Sequence, residues 1–241
     1  MAEILYGINT VEEILNAGRR RVLRLMISRT EKNQRVQGLA ALARKNGARV
    51  EYCDPRALEK LAEGANHQGV VIEAEPAKRL DLDGALAAVK DPKRTVWAAL
   101  DGITDPMNLG AIVRSAACLG VSTVLLPERR SASLNAAAQK TASGAAERIN
   151  VVEVVNLNQT ILKLKEKGFW VYGMDMGGKP LPQVDFTLPA LVIIGSEGEG
   201  LHQKTREHCD EIVSIPQKGG VESLNAGNAA AVVFYELSKK I

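Results

Sequence analysis

The stretch Asp101–Ser115, DGITDPMNLGAIVRS, decides how the rest of the chain is read. The apolar run RTVWAAL (94–100) leads into it and suits a buried parallel strand. Asp105-Pro106 reads as a turn, with Asn108 placed to cap the helix that follows. That helix would bury Ile112, Val113, Ala116 and Ala117. Arg114 is offset from this stripe and can reach past the turn toward the sheet edge. The unit therefore gathers Asp101, Asp105, Asn108, Gly110 and Arg114 at one strand–turn–helix corner. It reads either as a polar site or as a capped helix with a surface cation.

Outward from this corner, strand and helix patterns alternate. Toward the N-terminus, strands are expected at 22–27, 48–53 and 69–74, with helices at 31–45 and 55–63. EPAKRLDLDG (75–84) carries proline and charge without a clear period and reads as a linker into a short helix near 85–89. Toward the C-terminus, strands are expected at 122–126, 150–155, 169–173, 191–195 and 211–215, and a last helix over about 224–240. This alternation argues an α/β fold on a parallel sheet with helices on both faces. The predicted layout is residues 1–75, a linker over 76–93, and a larger unit over 94–241.

The chain has 241 residues, 46% apolar and 24% charged, which is ordinary for a globular protein. No apolar run approaches the ~20 residues of a membrane span, and the first residues lack a signal-peptide pattern. Cys53, Cys118 and Cys209 are far apart and odd in number, so no disulfide framework and no metal site is expected. A cytoplasmic location, away from membranes, is the expectation. The net charge of +3 is unevenly spread: residues 19–49 hold ten Lys/Arg, among them Arg19, Arg20, Arg21 and Arg24, against the single acid Glu31. Such a block is either a phosphate-contacting footprint or a solvated face.

Two later segments carry polar residues after strands. Gly195-Ser196-Glu197-Gly198-Glu199-Gly200-Leu201 puts three glycines within six residues after LVII, a tight turn where backbone approaches something closely. Ile215–Ala230, IPQKGGVESLNAGNAA, places Ser223, Asn225, Gly227 and Asn228 at the start of the last helix, where exposed N–H groups make a ligand platform or Ser223 a simple cap. Gly173–Lys179 fits G-x-x-x-x-G-K, but Pro180 follows where a phosphate loop needs Ser or Thr. His202 and His208 suit no zinc spacing, and His67 reads as structural or RNA-facing.

In order and spacing, DGITDPMNLGAIVRS with its continuation through PERRS (127–131) and KTASGAAE (140–147), then GSEGEGL, then Ile215-Pro216 with Ser223-Leu224-Asn225, resembles the three signature motifs of the SpoU (TrmH) family. These are RNA ribose 2'-O-methyltransferases of the SPOUT superfamily. YGINTVEEIL and NHQGVVIEAEP also resemble the small domain that precedes the catalytic one in the branch acting on a guanosine of 23S rRNA.

The resemblance implies a C-terminal SPOUT α/β-knot domain, a deep trefoil knot on a parallel sheet, behind a smaller ribosomal-protein-like α/β domain. It implies S-adenosyl-L-methionine as methyl donor, a homodimer and 23S rRNA as partner. Arg114, Asn108, Glu197, Ser223 and Asn225 match the active-site positions. Gly195, Ser196, Gly200, Leu201, Ile215, Leu224 and Met174 match the cofactor pocket. Arg19, Arg20, Arg21, Arg24 and His67 would meet RNA. The third motif of the family commonly runs Ser-Leu-Asn-Val-Ser, whereas Gly227 stands at the second serine here. That departure bears on cofactor contacts at 226–228. A tRNA ribose methyltransferase and a non-catalytic ribosome assembly factor are the other readings.

Overall fold

Leu25 and Ile27 face one side of their strand and Met26 the other, and each side is covered by helices. The structure is a computed structural model that describes residues 2–220 and 223–241. Val221 and Glu222 of the third motif lie outside it. The chain divides into two units, Met1–Lys78 with Leu134–Arg148, and Arg79–Ser133 with Ile149–Ile241.

The first unit runs β1 (Glu3–Tyr6), α1 (Ile8–Ala17), β2 (Val22–Ser28), α2 (Gln34–Lys45), β3 (Arg49–Cys53), α3 (Pro55–Leu61) and β4 (Val70–Ala74). Its sheet has the order β1-β4-β2-β3. Only β2 and β3, joined through α2, are parallel; β4 runs antiparallel to β1 and to β2. The expected parallel sheet is thus mixed here, and β1 and α1 were not resolved by the sequence pattern. Leu5, Leu25, Ile27, Val70 and Ile72 pack under α1 and α2. Tyr6, Met26 and Val71 pack against Leu58 of α3.

The second unit begins inside the expected linker. Asp81 caps α4 (Leu82–Ala87) by accepting from the Gly84 N–H at 2.7 Å, and Ala85 joins the core. Then follow β5 (Val96–Asp101), α5 (Pro106–Cys118) and β6 (Thr123–Pro127). The next segment crosses to the first unit: α6 (Ala136–Thr141) lays Ala136 against both cores there, although the sequence reading had grouped it with 94–241. The chain returns with β7 (Asn150–Val154), α7 (Leu157–Glu166), β8 (Trp170–Pro180), β9 (Ala190–Gly195), α8 (Gln203–His208), β10 (Glu211–Ser214) and α9 (Ala226–Ser238).

Here the parallel expectation holds in full. Six strands pair in the order β10-β8-β9-β5-β6-β7, every pair parallel. All six β5 residues are buried, as a strand covered on both faces requires. Trp97 stacks at a tilt on Phe169, with ring centroids 5.0 Å apart. The G-x-x-x-x-G-K stretch is no phosphate loop but part of β8. Its register against β10 jumps from Gly173↔Ile212 to Lys179↔Val213, so residues 174–178 loop out of the ladder.

Candidate active site

Parallel strands release their chains at the same edge, so the segments after β5, β8, β9 and β10 gather at the carboxyl ends of the central sheet. The first motif enters through α5. Asp105, not Asn108, caps this helix, accepting from the Met107 N–H at 3.0 Å, with Pro106 in the first turn. The Asn108 side chain is thereby freed to leave its own helix.

It does so toward the second motif. Asn108 Nδ2 donates to Glu197 Oε1 at 3.0 Å. Asn225 Nδ2 donates to the same oxygen at 2.5 Å and to Asn108 Oδ1 at 2.8 Å. The Ala226 N–H adds a third bond to Glu197 Oε1, at 3.0 Å. Asn225 is also the cap of α9, where its Oδ1 accepts from the Gly227 N–H at 2.9 Å; Ser223 is not the cap. A carboxamide suits this position because it donates on one side and accepts on the other. One residue from each motif therefore meets in a single hydrogen-bonded joint, with the Glu197 charge at the start of α9, where the helix dipole favours it.

Gly227 explains the departure in the third motif. A Cβ there would meet the Ala111 Cβ at 2.9 Å and Asn225 Oδ1 at 3.1 Å, so α9 lies against α5 with no room for a serine. The glycine serves packing between two motif helices.

The second motif is a closed turn. Ser196 and Gly200 exchange backbone hydrogen bonds at 3.0 and 3.1 Å, and a Cβ on Gly195 would strike the Gly200 backbone at 2.4–2.5 Å. Gly200, at φ +68°, lies beside the Asp175 carboxylate, which also pairs with Arg206. The loop-out of β8 thus reaches the second motif through Asp175. Leu201 behaves differently from the expectation: it is buried in the core against Gly173 and anchors the turn from below. Met174 is buried too, whereas Ile215 is half-buried and Leu224 is 37% exposed.

Sequence reading missed the pair beneath this turn. Buried Asp101, at the end of β5, accepts from the His202 N–H at 2.9 Å and meets His202 Nδ1 at 2.8 Å. Its place inside the first motif was the available signal. The pair ties the end of β5 to the loop after β9. Nearby, burial pushes the Cys209 thiol up to about 12. Among the described residues no group of His, Cys, Asp or Glu could hold a metal, and no helix is long and apolar enough to cross a membrane.

Arg114 is exposed on α5 and makes no hydrogen bond or ion pair among the described residues. Neither Glu197 nor Asn108, which bond to each other and to Asn225, bonds to it. Ser223 is exposed beside that joint.

The basic block is corrected more deeply. Arg20 is buried, with a side chain only 3% exposed, held by Glu3 at 2.6 Å and Glu147 at 2.5 Å. It is a structural cation, not an RNA contact. Arg24 pairs with Glu73 and Glu51, Arg35 with Glu12, and Arg21 lies 3.7 Å from Glu75. Arg19 and Arg21 precede β2, while His67 lies beyond its far end, where the Ser28 N–H reaches Gly69 O. A strand of this length separates them by about 20 Å. His67 Nδ1 accepts from the Gly69 N–H at 3.1 Å, a local turn bond.

The chain is similar to known proteins along its whole length. Residues 95–235 match the SpoU rRNA Methylase family, and residues 4–80 match the family of RNA 2'-O ribose methyltransferase substrate-binding domains. The chain is 39% identical to the 23S rRNA (guanosine-2'-O-)-methyltransferase RlmB of Yersinia pestis, over 100% of this chain and 98% of that protein. The protein of the same name from Escherichia coli K12 is 36% identical, with 98% of each covered. Among solved structures, the SpoU methyltransferase AviRb from Streptomyces viridochromogenes in complex with AdoMet superposes with a TM-score of 0.80 at 25% identity, covering 98% of this chain and 89% of that one.

Proposed function

The chain belongs to the SpoU rRNA Methylase family, and we propose that it methylates the ribose 2'-hydroxyl of a guanosine in 23S rRNA with S-adenosyl-L-methionine. The joint of Asn108, Glu197 and Asn225 carries the reading, because it brings one polar residue from each motif to the same point at the carboxyl edge of the sheet. The residues there fit the cofactor. The Ser196–Gly200 ring leaves the backbone N–H groups of 197–199 outside its two hydrogen bonds, and Leu224, next to the Asn225 that bonds Glu197, offers exposed apolar surface. Gly195, Ser196, Gly200, Ile215 and Leu224 would hold it; Met174 and Leu201 would support them from the core.

The bound cofactor supplies an electrophilic methyl group. What the protein must add is orientation of the ribose oxygen and help in losing its proton. Arg114 is assigned to that hydroxyl. A guanidinium stays protonated above pH ~12, so Arg114 is no base. It acts as an unpaired cation that lowers the hydroxyl's pKa and holds a neighbouring phosphate by its planar fork. Ser223 is assigned to the nucleotide. Glu197 and Asn225 hold the second and third motifs together rather than touching the reacting atoms.

A homodimer completes the reading. Met107 on α5 and Val232 and Tyr235 on α9 are exposed to 56%, 38% and 56%, an apolar surface on the two helices that carry the first and third motifs. A second copy of the chain covers it.

The test is methyl transfer from labelled cofactor to unmodified 23S rRNA and, separately, tRNA, with the label mapped by nuclease digestion and mass spectrometry. Label on a guanosine ribose of 23S rRNA is expected. Label on tRNA alone overturns the substrate, and label on neither overturns the activity on free RNA. Arg114→Ala and Arg114→Lys should both lose turnover and retain cofactor binding; normal turnover in either removes the role given to the guanidinium.

A further inference from the structure

The cofactor residues all lie to one side of β5. In the order β10-β8-β9-β5-β6-β7, Met174 belongs to β8, Gly195 to β9, and Ile215 follows β10. The first motif leaves β5 at the boundary. On the other side, the chain leaves β6 through Glu128-Arg129-Arg130-Ser131. None of the residues assigned to the cofactor or the ribose lies in this segment.

This turn is built to hold its arginines in place. The Glu128 N–H bonds to Val154 O at 3.0 Å, and the Ala132 N–H bonds to Ile103 O at 2.7 Å. The second bond ties it to the loop of the first motif. Between these anchors Arg130 has φ +58°, a backbone conformation that side chains with a Cβ rarely adopt. Arg129 and Arg130 are both exposed. Neither makes an ion pair or hydrogen bond among the described residues, in contrast to Arg20, Arg24 and Arg35. Two free guanidiniums on a pinned, strained turn beside the active-site loop form a ready site for an anion.

We propose that Arg129 and Arg130 bind the RNA sugar–phosphate backbone next to the reacting nucleotide, so that donor and acceptor approach the first motif from opposite sides of β5. The inference rests on the RNA methyltransferase reading. The ligand chemistry is a phosphodiester read by charge and fork geometry, not a base edge, so the contact positions the substrate without choosing its sequence. The salt dependence of RNA binding should carry its signature.

The experiment compares the full-length wild type with Arg129→Glu/Arg130→Glu and with Arg130→Gly, using 23S rRNA fragments. For the double variant, RNA affinity should fall about tenfold or more, and the slope of log affinity against log salt should shrink by about 0.7–0.9 per lost contact. Cofactor affinity should stay at the wild-type value. Glycine adopts the φ of Arg130 freely, so Arg130→Gly should melt at or above the wild-type temperature while still losing RNA affinity and raising KM for RNA. A drop in melting temperature with unchanged RNA affinity would make Arg130 structural and overturn the proposal. Wild-type activity with an unchanged salt slope in the double variant overturns the assignment of this turn alone. A wild type that transfers methyl to no RNA overturns the functional reading and this inference with it.

Discussion

A double-mutant cycle between Glu197 and Asn225 measures whether the three motifs are joined as the geometry says. Glu197 Oε1 accepts three hydrogen bonds, from Asn108, Asn225 and the Ala226 N–H. Bonds to a charged acceptor contribute about 1.5–3 kcal/mol each when sheltered, and this carboxylate is exposed, so ~0.5–1 each is the appropriate scale. Glu197→Ala should then cost about 2 kcal/mol. Asn225→Ala removes a helix cap, about 1 kcal/mol, and two side-chain donor bonds, for a similar total near ~2 kcal/mol. The bond between the two residues is counted in both, and its loss loosens the rest. The double variant should therefore cost about 3 kcal/mol, a coupling of ~1 kcal/mol. Urea unfolding followed by tryptophan fluorescence is the assay, because Trp97 and Trp170 both lie in the second unit and report on it alone. Glu197→Gln, which keeps an acceptor without the charge, should fall between wild type and Glu197→Ala. Strict additivity, within ~0.3 kcal/mol, would mean the residues do not share a network and would refute the joint.

Other outcomes follow from single contacts. Gly227→Ala should destabilise the second unit by about 1 kcal/mol despite alanine's better helix propensity, because its Cβ meets that of Ala111; Ala111→Gly in the same chain should restore it, read by the same unfolding curve. Arg20→Ala should cost the first unit about 3–5 kcal/mol by leaving Glu147 buried and unpaired, whereas Arg20→Met with Glu147→Leu should recover most of it in a circular-dichroism melt. The salt slope of RNA binding, measured below the melting transition, should not change in Arg20→Met/Glu147→Leu. Because burial raises the Cys209 thiol from 9.0 to about 12, the stability of its neutral form is full below pH 9 and is lost as pH rises from 9 toward 12. At about pH 8.5 iodoacetamide should modify exposed Cys118 and spare Cys209 until the protein unfolds, as mass spectrometry would show.

What could be read in advance depended on how local its cause was. The strands of the second unit were legible because VWAAL (96–100) and LVII (191–194) are apolar throughout, as strands covered on both faces are. Their lateral order was not, since patterning says which segments are strands and nothing about neighbours. Topological threading, too, belongs to the path of the chain and not to its periodicity; general rules argue against it, and only the resemblance implied it. The first unit was misjudged where β1 spans four residues, too short to show a period. At the site, the helix caps are not the ones the motifs first suggest: Asp105 and Asn225 cap, which changes what Asn108 and Ser223 are free to do. The basic block shows the same limit. Its acids, Glu3, Glu73 and Glu147, come from distant parts of the chain, so a count along the sequence could not see them.

The position of β9 has a consequence for how the protein is made. β5 is synthesised long before β9 and β8 just before it, yet the two do not pair with each other; β9 stands between them and pairs with both. A nascent chain that has emerged only through β8 holds two apolar strands with open edges and a missing centre. Glu197 and Asn225 come later still, after β9. The catalytic corner therefore exists in no partial product. Until β9 leaves the ribosome, the chain exposes strand edges that invite misassembly, and non-local pairing of this kind closes slowly. Truncation after β8 should yield an aggregating fragment, not a weakened enzyme.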